Sequence, residues 1–162
     1  MSHSDSINEI PIDQGYQPVL PEDDGLQITD FRKGDFEWWY FDVFDQAAGC
    51  FLKIVIHIGT DPLKTRIFLQ LALSINTPDK SESLTLPLNM EDLIADTSQC
   101  NITVGNRIKI WTEPGSTEIY SIKTDIPEFK CDFRFEGATE GWKPRCNKMV
   151  HQTGKKKSEF YW

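Results

Sequence analysis

The run Phe36-Glu37-Trp38-Trp39-Tyr40-Phe41-Asp42-Val43-Phe44-Asp45 decides how the chain is read. Aromatic and β-branched residues suit a pleated surface, so the run predicts a strand. Strand side chains alternate between two faces. One face then carries Glu37, Trp39, Phe41 and Val43, and the other carries Phe36, Trp38, Tyr40, Asp42 and Phe44. Neither face is polar, so both are expected to be covered, as in a central strand of a large β core rather than a half-buried edge strand. The composition also admits a ligand pocket lined by these aromatics and gated by Glu37.

The next residues extend the pattern. Gln46-Ala47-Ala48-Gly49 reads as a hairpin loop ending in its glycine. A second strand follows over residues 50–58. Setting Asp45 opposite Cys50 puts Asp42 opposite Lys53, and opposite charges there support the pairing. The same register places Trp38 opposite His57 on a mixed face. Leu52, Ile54, Ile56 and Ile58 join Trp39 on a plain core face. After a turn at Gly59-Thr60-Asp61-Pro62, residues 66–75 predict a third strand, with Gln70 on the mixed side.

Residues 76–83 read as a polar loop, and residues 87–94 as either a helical turn or a loop. Gly105-Asn106 marks a two-residue hairpin between strands at 100–104 and 107–112. Residues 118–126 alternate, and residues 130–136 alternate more strictly. Residues 137–157 are turn-rich and basic, and a last strand is expected from Ser158 or Glu159. Seven or more antiparallel strands with short turns and no long helix imply an all-β sandwich or up-and-down barrel.

The 162 residues suffice for one well-buried domain, and 39% hydrophobic with 26% charged residues is a globular composition. Net charge is −8, but seven acids precede the first base, Arg32, leaving 18 acids against 17 bases beyond residue 31. The chain therefore divides into an acidic, partly disordered arm over residues 1–30 and a nearly neutral body over 31–162. This balance argues against binding a phosphate backbone. Lys155-Lys156-Lys157 lacks interleaved aromatics and reads as a solvated loop. No apolar run has the length of a membrane span, and no signal peptide opens the chain, so a cytoplasmic protein with reduced thiols is the expectation. Cys50, Cys100, Cys131 and Cys146 lack zinc-ligand spacing, and no metal is expected.

Chemistry-bearing candidates are few. His57, beside Trp38, suits a proton shuttle or a polar ligand contact, against the plainer reading of a satisfied, partly buried histidine. Glu37 suits an acid at a pocket mouth or, more simply, a cap on nearby backbone amides. Those two are the candidate catalytic groups. Glu37, Trp38, Tyr40, His57 and Gln70 are the candidate ligand-binding residues. No nucleophile motif and no phosphate-binding glycine loop is present.

Glu37-Trp38-Trp39-Tyr40 resembles the hydroxyneurosporene synthase (carotenoid 1,2-hydratase) family, also called AttH-like, whose members share a Glu-Trp-Trp-Tyr strand. Residues 68–73 and 154–162 are similar too, but the specific part is residues 37–40. The resemblance implies a lipocalin-like (calycin-type) barrel, the first of two β-barrel domains in a longer protein. It implies an apolar pocket for a polyene or terpenoid, hydrated by a lyase or cyclised in the whole protein, with no metal or organic cofactor and with the hydratases' acid groups in the second barrel. Residues 1–162 alone are then expected to associate and to show no turnover. Two rival readings remain: a non-enzymatic carrier of a small hydrophobic molecule, and a structural barrel supporting a catalytic domain.

Overall fold

A computed structural model describes residues 15–61, 66–116, 118–139, 141–144, 148–153 and 156–161. Residues 1–14, with His3, and Cys146, Gly154, Lys155 and Trp162 lie outside the described residues. In chain order the strands are β1 (Tyr16–Pro18), β2 (Phe36–Asp45), β3 (Cys50–Thr60), β4 (Ile67–Asn76), β5 (Ser81–Leu88), β6 (Leu93–Ala95), β7 (Asn101–Val104), β8 (Ile108–Thr112), β9 (Ile119–Ile126), β10 (Phe129–Glu136), β11 (Trp142–Pro144), β12 (Lys148–Thr153) and β13 (Lys156–Tyr161). Short 3-10 turns at Pro21–Asp24 and Met90–Asp92 are the helical elements of the described residues.

Two antiparallel sheets carry the fold, one ordered β2-β3-β4-β5 and the other β10-β9-β8-β7-β6. Two further pairs, β1 with β11 and β12 with β13, form separate two-stranded ladders. The inner faces of the large sheets share one core. Trp39, Ile54, Ile56, Ile58, Leu69 and Leu71 from the first pack with Ile102, Ile108, Ile110 and Ile122 from the second. Ile54, Ile56, Ile58, Leu71, Ile102, Ile110 and Ile122 are almost wholly removed from water. The space between the sheets is filled by side chains, as close packing of protein interiors requires. No closed barrel is found among the described residues.

The β2–β3 hairpin has the register its charges predict: Asp42 faces Lys53, Asp45 faces Cys50, Trp38 faces His57 and Trp39 faces Ile56. Gly49 closes the turn at φ +59°, a left-handed conformation that side-chain-bearing residues rarely adopt. The expected central position of residues 36–45 is corrected: β2 is an edge strand of its sheet. Its two faces are also unequal. Trp39 is 7% exposed, whereas Phe36, Trp38, Tyr40 and Phe44 range from 46% to 66%. The richness in aromatics thus reflects an open aromatic face, not cover on both sides.

Other expectations shift as well. The polar loop at 76–83 is a tight turn leading into β5, in which Pro87 sits opposite Gln70. A proline, lacking an N–H, is tolerated there because β5 is an edge strand. Residues 87–94 contain the end of β5, a 3-10 turn and the start of β6. The 105–107 turn has three residues, with Val104 paired to Ile108. Residues 59–60, read as a turn, continue β3. The stretch read as turn-rich, 137–157, contains β11, β12 and the start of β13, so Lys156 and Lys157 lie in a paired strand.

Truncating Trp39 to Ala is expected to cost about 3–5 kcal/mol, as for other buried aromatics. Trp38→Ala, on the open face, should cost under about 1 kcal/mol. Urea unfolding of the two variants measures both, and equal losses would contradict the division of the strand's faces.

Candidate functional site

Four of the five candidate ligand-binding residues meet on the outer face of the β2–β5 sheet. Strand pairing sets Trp38, His57 and Gln70 side by side across β2, β3 and β4, with Tyr40 two residues further along β2. The Trp38 ring stacks on Phe36, centroids 5.0 Å apart and planes 17° from parallel, and tilts over His57 at 6.3 Å. Gln70 Nε2 lies 3.5 Å from His57 Nδ1, at the outer limit of a hydrogen bond. The Tyr40 hydroxyl donates to Asp42 at 3.1 Å. Partial burial, and secondarily the neighbouring Lys53, lower the His57 pKa from its ordinary value, so the ring is neutral at pH 7. A neutral imidazole and an amide beside stacked rings can orient a flat or apolar ligand. The neutral imidazole can also accept a proton.

Glu37 is not part of this group. Strand parity turns it to the face of Trp39, where its carboxylate accepts hydrogen bonds from the backbone N–H of Gln27, at 3.0 and 3.1 Å, and of Ile28, at 3.0 Å. It caps the incoming N-terminal segment, the plainer of its two expected roles. Burial raises its pKa, while the Gln27 and Ile28 amides pull the other way.

A second constellation escapes reading by sequence. The 3-10 turn Pro21–Asp24 lies against the seam between the sheets, where β2 is an edge. The indole N–H of Trp39 donates to the Asp24 carbonyl at 3.0 Å, and the Tyr120 hydroxyl of β9 donates to the Asp24 carboxylate at 2.5 Å. Gly25 makes this approach possible, because a Cβ there would come within 2.6 Å of the Thr97 backbone. Lys143 Nζ, nearly buried, pairs with Asp23 at 2.5 Å and holds the same turn from β11.

Below the turn is a cavity of about 250 Å³ lined by Asp24, Trp39, Phe41, Cys100 and Tyr120, with residues 38 and 40 of the edge strand completing its wall. Burial raises the Asp24 pKa against the lowering effect of the Tyr120 hydrogen bond, and burial followed by Asp24 raises that of Tyr120. Cys100 is pushed up to about 12, by burial first and then by Asp24, so its thiol is protonated and inert. The acids of residues 1–30 show no periodicity and Tyr120 lies 96 residues away, so no local signal joins them.

Among the described residues no three His, Cys, Asp or Glu side chains are grouped to hold a metal ion. No helix among them is long and apolar enough to cross a membrane. In comparisons with known families, curated proteins and solved structures, the chain matches no family model, no curated protein and no solved structure.

The His57 imidazole should titrate below its ordinary value near 6.5. Replacing Lys53 by Gln should move the midpoint upward, because a repelling cation is removed. A depressed folded-state pKa means that the unfolded chain binds the proton more readily. The stability tied to His57 is therefore kept above the unfolded value and lost as pH falls through the folded one. Histidine NMR signals followed against pH measure the midpoint. A value at or above 6.5 would contradict the partly desolvated site.

Proposed function

We propose that this chain is the N-terminal, lipocalin-like half of an AttH-like protein. Its outer aromatic face lines an apolar site for a polyene or terpenoid that the whole protein hydrates or cyclises. A second β domain covers that face and brings the catalytic groups. The observation that carries the reading is the open row Phe36, Trp38, Tyr40 and Phe44, from 46% to 66% exposed along one strand. Contiguous exposed rings of this kind mark a surface that something apolar covers. Glu37-Trp38-Trp39-Tyr40 supplies the family resemblance, and the same four residues build the strand that displays the rings.

The filled interior favours this reading over a carrier that encloses its ligand between the sheets. The seam cavity, at about 250 Å³, is smaller than the roughly 300–1,000 Å³ of sites for drug-sized ligands. A chain of conjugated double bonds fits along a row of rings and not inside the core. In this reading His57 and Gln70 are ligand contacts beside Trp38 in the row, and the protein is cytoplasmic.

Retinol serves as a short polyene probe. It should bind residues 1–162 saturably, quenching tryptophan emission, with no chemical conversion. The double variant Trp38→Ala/Phe44→Ala should weaken binding about tenfold or more, since stacked aromatic contacts contribute about 0.5–1.5 kcal/mol each. Ile110→Val, a change in the core of the other sheet, should leave it unaltered. Absence of saturable binding, or binding unaffected by the outer-face variant, would overturn the proposal.

A further inference from the structure

We infer that the seam cavity beneath Pro21–Asp24 is a binding site for a small organic cation, a methylated ammonium group, held against aromatic rings by the Asp24 carboxylate. The inference does not rest on the polyene reading, which concerns the outer face of β2, although Trp38 and Tyr40 border both sites.

Three features of the cavity lead to it. Its walls are aromatic: Trp39, Phe41 and Tyr120 line it, and Phe41 and Tyr120 meet at 6.2 Å with planes inclined by 59°. A cation seated over the face of such a ring is attracted to it, and desolvation strengthens that attraction. Its polar group is an acid. Asp24 accepts one hydrogen bond from Tyr120, and the cation that acts on it, Lys143, is itself bound to Asp23. Glu118 adds a further negative charge that acts on Tyr120. The local field therefore favours a positive guest and opposes an anion. Finally, the volume of about 250 Å³ suits a head group of a few heavy atoms rather than a whole drug-sized ligand.

Other guests fit less well. A neutral apolar guest would leave the Asp24 carboxylate further desolvated with no new partner, which is costly. A divalent metal needs several oxygen, nitrogen or sulfur ligands, and no such group is assembled among the described residues. A primary ammonium brings three N–H donors that need acceptors. A methylated ammonium makes fewer such demands and takes its stabilisation from ring faces and one carboxylate.

The test uses choline and its uncharged counterpart, 3,3-dimethylbutan-1-ol, at constant ionic strength. Each is titrated into residues 1–162, and the Trp39 indole N–H, bonded to the Asp24 carbonyl, is the NMR reporter. Choline should shift that signal saturably. The alcohol should bind about tenfold or more weakly, a preference within the range of cation–π and ion-pair attraction at a partly buried site. Asp24→Asn, which keeps an acceptor for Tyr120 and removes the charge, should weaken choline by a similar factor. No saturable shift, equal affinity for the alcohol, or full choline affinity in Asp24→Asn would each overturn the inference. If Asp24→Asn does not fold, the comparison of choline with the alcohol on the unaltered protein decides alone.

Discussion

A strand can turn only every second side chain inward, and β2 puts that constraint to two uses. Trp39 and Phe41 go into the core with Ile54, Ile56 and Ile58 from the neighbouring strand. Phe36, Trp38, Tyr40 and Phe44 are left on the other side, facing outward. The hydrogen-bonded register fixes the division, because a slip of one residue would exchange the two sets. Asp42 opposite Lys53 helps to hold that register, although an exposed pair contributes only a few tenths of a kcal/mol to about 1 kcal/mol. The larger penalty against a slip is the burial of Asp42 and exposure of Trp39 that it would bring.

The inner half of β2 also fastens the N-terminal segment. Glu37 accepts from the amides of Gln27 and Ile28, and Trp39 donates to the carbonyl of Asp24. Asp24 then reaches Tyr120 on β9, which lies between β10 and β8 in the second sheet, so one short turn ties the edge strand β2 to the other sheet. Lys143 with Asp23 adds an ion pair with little exposure to water. Such a pair gains little net stability after desolvation, but removing one member leaves an uncompensated charge, so its effect is to fix the position of the turn. The cost of holding acids there appears in the raised pKa values of Asp24 and Glu37. Any stability those two groups add at low pH is lost as pH rises through their folded values.

The β2–β3 hairpin and its register were legible from alternation and one charge pair, because both signals are local. β9 and β10 were legible for the same reason. β5 was not: Ser81-Glu82-Ser83-Leu84-Thr85-Leu86-Pro87-Leu88 holds three polar residues at its start and a proline near its end. It forms as an edge strand, where one side of the backbone needs no partner. The edge position of β2 was likewise hidden, since strand order depends on contacts between distant segments. Of the candidate ligand-binding residues, Trp38, Tyr40, His57 and Gln70 fall together because each follows from parity and register. Asp24, Cys100 and Tyr120 come from an arm, the bend before β7 and the strand β9, and no pattern in the chain joins them.

The division of β2 into a core face and an open aromatic face is the claim on which the rest stands. A soluble paramagnetic agent, added to protein dilute enough to be monomeric, tests it through the indole N–H signals of two adjacent residues. The Trp38 signal should broaden strongly and the Trp39 signal, bonded to the Asp24 carbonyl inside the seam, should persist. Equal protection of both signals, or broadening of Trp39 with protection of Trp38, would contradict the account.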